Sequence, residues 1–133
     1  MAPSAVADAM CAPARWFSAP AVSSTGDEAA DLAAAAGLVL DDWQEFALSH
    51  ALGERHDGKW ASFTVGLCVP RQNGKGGLLE ARELAGLFIL GESLIIHSAH
   101  EFPTSLEAFR RLLMLIEDTP ELDAKVRRVS RSH

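Results

Sequence analysis

The spacing of apolar residues changes several times along the chain, and each change marks an element. From Asp27 to Ala36 the chain is rich in Ala and Leu with Asp and Glu between them, which suits a helix, and Gly37 is a natural stop. Leu38-Val39-Leu40 leads to Asp41-Asp42, where Asp41 caps a helix carrying Trp43, Phe46, Ala47, His50 and Ala51 on one face. His56-Asp57-Gly58-Lys59 is a turn. From Trp60 to Val69 the period shortens to two. Phe63, Val65, Leu67 and Val69 fall on one side, with Ser62, Thr64, Gly66 and Cys68 on the other, a composition suited to a strand buried on both faces. A glycine-rich loop from Pro70 to Gly77 separates it from a helix over Leu78 to Leu90, striped by Leu79, Ala81, Leu84, Ala85, Leu87 and Phe88. Gly91 breaks that helix, and Ser93 to Ala99 reads as a second strand centred on Leu94-Ile95-Ile96. Pro103 and Thr104 open a further helix through Leu106, Phe109, Leu112, Leu113 and Ile116. Pro120 separates it from a candidate third strand at Val126 to Val129. The order strand, loop, helix, strand, helix, strand predicts an α/β fold with a parallel sheet flanked by helices.

Composition narrows the picture. The chain has 133 residues, 48% of them apolar, enough to bury a core. A formal net charge of −6 argues against nucleic-acid binding through overall positive charge, while leaving room for local basic surfaces at Arg110-Arg111 and Arg127-Arg128-Arg131. Cys11 and Cys68 stand in unrelated contexts, with neither zinc spacing nor a disulfide framework, as expected in a reducing cytoplasm. No run reaches the roughly 18 apolar residues of a membrane span. The Ala-rich start lacks the basic segment of a secretion signal. Residues 1–26 read as a flexible Ala/Pro/Ser-rich arm, interrupted by Trp16 and Phe17, a pair expected to dock.

The chemistry sits in Val69-Pro70-Arg71-Gln72-Asn73-Gly74-Lys75-Gly76. A phosphate loop needs a strand to deliver the chain, a turn that directs backbone N–H groups inward, and a helix whose first amides face the anion. A lysine at the junction then reaches the β- and γ-phosphates, and Lys75 stands there. Two positions depart from the usual pattern: Val69 replaces its first glycine, and Gly76 replaces the Ser or Thr that ligates Mg²⁺. The competing explanation is an ordinary strand–helix turn, with Gly74 supplying unusual backbone angles and Lys75 solvated.

Pro70-Arg71-Gln72-Asn73-Gly74-Lys75 resembles the deviant phosphate loop of the large terminase subunit of tailed phages. Gly77 to Leu87 resembles the helix that follows this loop in the actinobacterial-phage members. Upstream, Leu40-Asp41-Asp42-Trp43-Gln44 resembles the family's adenine motif, and downstream His97-Ser98-Ala99-His100-Glu101 resembles the segment after the next strand. The likeness runs from about Gly37 to His133. It implies that residues 27–133 are the N-terminal portion of a P-loop ATPase domain, a partial and truncated P-loop NTPase fold. It further implies ATP and Mg²⁺ as cofactors, in an oligomeric motor that packages double-stranded viral DNA in the host cytoplasm with the small terminase subunit and the portal of the procapsid. Lys75 and Arg71 are then the catalytic candidates. Gln44, Arg71, Gln72, Asn73, Gly74, Lys75 and Gly76 are the nucleotide-binding set.

Residue chemistry fits those roles unequally. Guanidinium suits bidentate phosphate contact, though Arg71 would equally suit a salt bridge with a nearby carboxylate. Gln72 and Asn73 shape the loop. The Gln44 amide can donate and accept at once, as the adenine edge requires, or lie exposed on its helix. Trp43 belongs to the core more readily than under a base. His97 and His100 lack a third ligand, so no metal site is expected. Hydrolysis also needs an acid on a later strand for Mg²⁺, and no apolar strand ending in paired acids follows Glu117-Asp118. Binding without turnover is therefore expected. The rival readings are a helicase-like P-loop ATPase outside packaging and a non-catalytic remnant.

Overall fold

In a computed structural model, which describes residues 12–130, the chain is mostly helical. Its helices are α1 (Gly26–Ala35), α2 (Asp42–Ala51), α3 (Lys75–Phe88), α4 (Phe102–Glu117) and α5 (Pro120–Asp123). Strands β1 (Ser23–Ser24) and β2 (Gly53–Glu54) pair antiparallel, with Ser23 opposite Glu54 and Ser24 opposite Gly53. An isolated bridge joins Glu54 to Trp60.

The expected parallel sheet is absent among the described residues. The segments predicted as strands at 60–69, 93–99 and 126–129 join no ladder. The fold is therefore not a P-loop sheet flanked by helices. The alternation of Phe63, Val65 and Leu67 selects extended backbone, but a strand also needs a hydrogen-bonding neighbour, and periodicity says nothing of one. Both segments instead contact α3, with later residues of each meeting earlier positions of the helix. Trp60 lies against Arg82, its ring centroid 5.9 Å from the guanidinium carbon, and Val69 reaches Lys75. Ile95 packs over Gly86, and His97 pairs with Glu83. Phe63, Val65, Leu67, Leu94 and Ile96 remain exposed.

The helices follow their sequence signals more closely. Gly37, at φ +91°, closes α1 with Leu38 N–H donating to Ala33 O at 2.8 Å and Gly37 N–H to Ala34 O at 3.0 Å, the paired bonds of a Schellman end. Helix α3 sits at the centre. Its Leu78, Ala81 and Ala85 pack with Ala29 and Ala33 of α1 and Leu48 of α2, where alanines permit close approach. On its other side Leu84 joins Ala36, Ile116 of α4 and Leu122 of α5.

The predicted arm is partly built into this body. Val22 N–H donates to Glu54 O at 2.8 Å, β1 follows, and Trp16 meets Phe46 edge-on at 5.3 Å and His50 at 4.8 Å. Phe17 stays exposed, so one of the two aromatics docks. Cys11 and Arg131 lie outside the described residues.

Candidate phosphate-binding loop

Helix α3 begins at Lys75, three residues before the position predicted, because Gly74 provides the entry. At φ +84° Gly74 is left-handed, a conformation that costs a residue with a Cβ about 1–2 kcal/mol. Gln72 is left-handed too, at φ 57°, the one non-glycine residue with positive φ among those described. Two reversals within three residues turn the chain from the extended segment into the helix. No side chain caps α3, and no acceptor among the described residues takes the N–H groups of Lys75, Gly76 and Gly77. The positive end of the helix dipole thus faces the loop unopposed.

Lys75 folds back across this turn. Its Nζ donates to Val69 O at 3.4 Å, six residues earlier, so the ammonium closes the loop at its mouth. The bond is long and exposed, and an anion in the loop would compete for the ammonium on favourable terms. Arg71 lies exposed on the outer turn, and no carboxylate among the described residues pairs with it, so the salt-bridge alternative has no partner here. Asn73 is exposed beside it.

Gln44 comes to this loop from α2, 30 residues upstream. It is buried, with its Oε1 accepting from Asp41 N–H at 2.7 Å and its Nε2 donating to Gly74 O at 2.7 Å. The two segments that the resemblance assigns to the nucleotide are therefore in contact. In this arrangement the Gln44 amide also acts as a clamp, with one lone pair of Oε1 and one Nε2 hydrogen left over for another partner. The clamp also explains two glycines. A Cβ at Gly74 would lie 2.8 Å from Gln44 Nε2, and one at Gly77 would lie 3.2 Å from the same atom. Trp43 is half-buried, with Cζ2 3.5 Å from the Gly74 Cβ position.

Gly76 has a different neighbour. A Cβ there would lie 3.5 Å from Arg111 Nη1 and 4.0 Å from Glu80 Oε1. Arg111 reaches over from α4 and pairs through Nε with Glu80 at 2.9 Å. Glu80 is buried, and burial raises its carboxyl pKa, with Arg111 pulling the other way. In the sequence Arg111 was read only as half of a local basic surface, and Glu80 was not singled out. The available signal was a glutamate on the inner face of α3, four positions before the fully buried Leu84.

The predicted residues farther along do not join the loop. His97 pairs through Nδ1 with Glu83, about 12 Å along α3 from Lys75 at 1.5 Å per residue. The pair lines a 420 Å³ groove with Phe102, Leu106 and Phe109. His100 is exposed, and no group of three His, Cys, Asp or Glu among the described residues could hold a metal. No helix among them is long and apolar enough to cross a membrane. Compared with protein-family models, curated proteins and solved structures, the chain matches none.

Proposed function

We propose that this chain binds a nucleoside triphosphate through the loop from Val69 to Gly76, with Lys75 as the principal phosphate ligand. The observation that carries the proposal is the Lys75 side chain, whose Nζ reaches back to Val69 O across the turn that opens α3. The cation and the uncapped helix start belong to the same turn, and each favours an anion. Arg71, exposed in the same loop and without a carboxylate partner among the described residues, adds a second cation to it. Among the described residues no strand delivers the chain to this turn, so support for the proposal comes from the turn and the open start of α3 alone.

ATP is the proposed nucleotide on the strength of the terminase resemblance. The same resemblance makes the DNA-packaging motor of a tailed phage the proposed setting, with viral DNA, the small subunit and the portal as partners. A protein-held Mg²⁺ fits these residues poorly. Gly76 brings no hydroxyl, and the carboxylate nearest to it is already paired with Arg111. The test is equilibrium binding of ATP to the parental chain and to Lys75→Ala. Loss of one charge-assisted contact should weaken binding by about tenfold or more. Equal affinities would reduce Lys75 to a solvated surface lysine.

A further inference from the structure

We propose that the Arg111 guanidinium takes the place of the metal ion at this loop, so that the chain binds triphosphate without a divalent cation. The proposal rests on the phosphate-loop reading of Val69 to Gly76 and extends it to a residue on another helix. In the usual loop, the residue after the lysine carries a hydroxyl that holds Mg²⁺ against the phosphates. Here that residue is Gly76, and the space its side chain would enter is approached by a cation from α4, with Nη1 3.5 Å from the Cβ position.

The cation is held in place. Arg111 Nε pairs at 2.9 Å with Glu80, which lies one helical turn after Gly76 on the same face of α3. With Nε turned to Glu80, Nη1 is the nitrogen that lies beside Gly76, the second residue of α3. The Glu80 side chain is only 6% exposed while that of Arg111 is 53% exposed, so the anchor is buried and the guanidinium stays within reach of a ligand. A planar guanidinium can offer two parallel N–H donors to phosphate oxygens, supplying both charge and orientation. The donor set disfavours a metal at the same point. A divalent ion bound to Glu80 would have to displace Arg111 or sit beside it as a second cation. Nothing else about Gly76 demands glycine: its φ is not left-handed, and a Cβ there would make ordinary contact. What the missing side chain leaves is space beside Arg111.

The experiment is calorimetric titration of ATP into the full chain, in excess EDTA and in excess Mg²⁺. The parental chain should bind equally well in both, within about threefold. In EDTA, Arg111→Gln should lose about tenfold. That substitution strands a buried carboxylate, so the double variant Glu80→Gln/Arg111→Gln, which removes the charge together with its partner, should show the same loss. Three results overturn the proposal while leaving the loop standing. They are parental binding that requires Mg²⁺, Arg111→Gln binding at parental affinity while Lys75→Ala is weakened, and a double variant that recovers parental affinity. If the parental chain binds ATP in neither buffer, the phosphate-loop reading falls, and this proposal with it.

Discussion

Replacing Gln44 separates a clamp from a base reader. In Gln44→Ala, the bonds to Asp41 N–H and Gly74 O are both lost. Each is worth about 0.5–1.5 kcal/mol net. Asp41 and Gly74 are themselves exposed, so water can replace the missing partner at either end, and the sum should stay near the low end, about 1–2 kcal/mol. Gln44→Glu is the sharper variant. It keeps an acceptor for Asp41 N–H but sets a carboxylate oxygen against the Gly74 carbonyl, where Nε2 now donates at 2.7 Å. That repulsion and burial should raise the carboxyl pKa above its unfolded value of about 4.3. A raised folded-state pKa gives stability that is present below the unfolded value and lost as pH rises through the folded one. The Glu variant should therefore approach the parent near pH 4 and fall below Gln44→Ala by about 1 kcal/mol or more at pH 7, the cost of an unsatisfied buried acceptor. Urea denaturation at both pH values measures this. A Glu variant as stable as the parent at pH 7 would show that the Nε2 bond to Gly74 contributes nothing. For binding, a clamp predicts equal losses for ATP and GTP in Gln44→Ala, whereas a base reader predicts loss of ATP preference.

The loop glycines should respond in opposite directions. Gly74→Ala must hold a left-handed φ and displace Gln44, and should cost about 2–3 kcal/mol in thermal or urea melts, while Gly76→Ala should gain up to about 1 kcal/mol from helix propensity. A Gly74→Ala chain that melts with the parent would remove the backbone argument for that position. Two carboxylates should give opposite pH signatures in urea titrations. Burial raises the Glu80 pKa, so its contribution improves as pH falls toward the ordinary 4.5; the Arg82 hydrogen bond lowers that of Glu92, so its contribution is lost on acidification. Relative to Glu80→Gln the parent should therefore gain stability between pH 7 and pH 4, and relative to Glu92→Gln it should lose it. Parallel curves for parent and variants would contradict both assignments.

The helices were legible in the sequence because their signals are local. Gly37 after an Ala-rich run, Asp41 before Trp43, and Pro103 near the start of α4 each act within one or two turns. The start of α3 was misplaced because Gly76 and Gly77 have poor helix propensity, yet Gly74 supplies the entry and Leu78 N–H reaches Gly74 O at 3.4 Å. The sheet failed for the converse reason: Trp60 to Val69 carries a strand's alternation, but a ladder is a relation between two segments. The partners of Gln44 and Arg111 were hidden in the same way. Each acts through a partner 30 or more residues away, and neither a lone helical glutamine nor an Arg-Arg pair announces which residue it will meet.

The absence of a ladder changes what holds the loop. A strand inside a sheet is fixed along its whole length by its neighbours, so the turn it delivers needs little further restraint. Here the incoming segment is fixed near its ends, through the Trp60 bridge to Glu54 and the Lys75 bond to Val69 O, while Phe63 and Val65 between them are exposed. The extended chain by itself is therefore a weak guide for the turn. The stronger restraint is Gln44, which ties Gly74 to the start of α2, a helix packed into the same core as α3. On the far side Glu80 and Arg111 tie α3 to α4 beside Gly76. The loop is thus positioned by helices on two sides. Gln44, read from sequence as a nucleotide contact, is therefore also one of the two ties that fix the turn, the other being the Glu80–Arg111 pair.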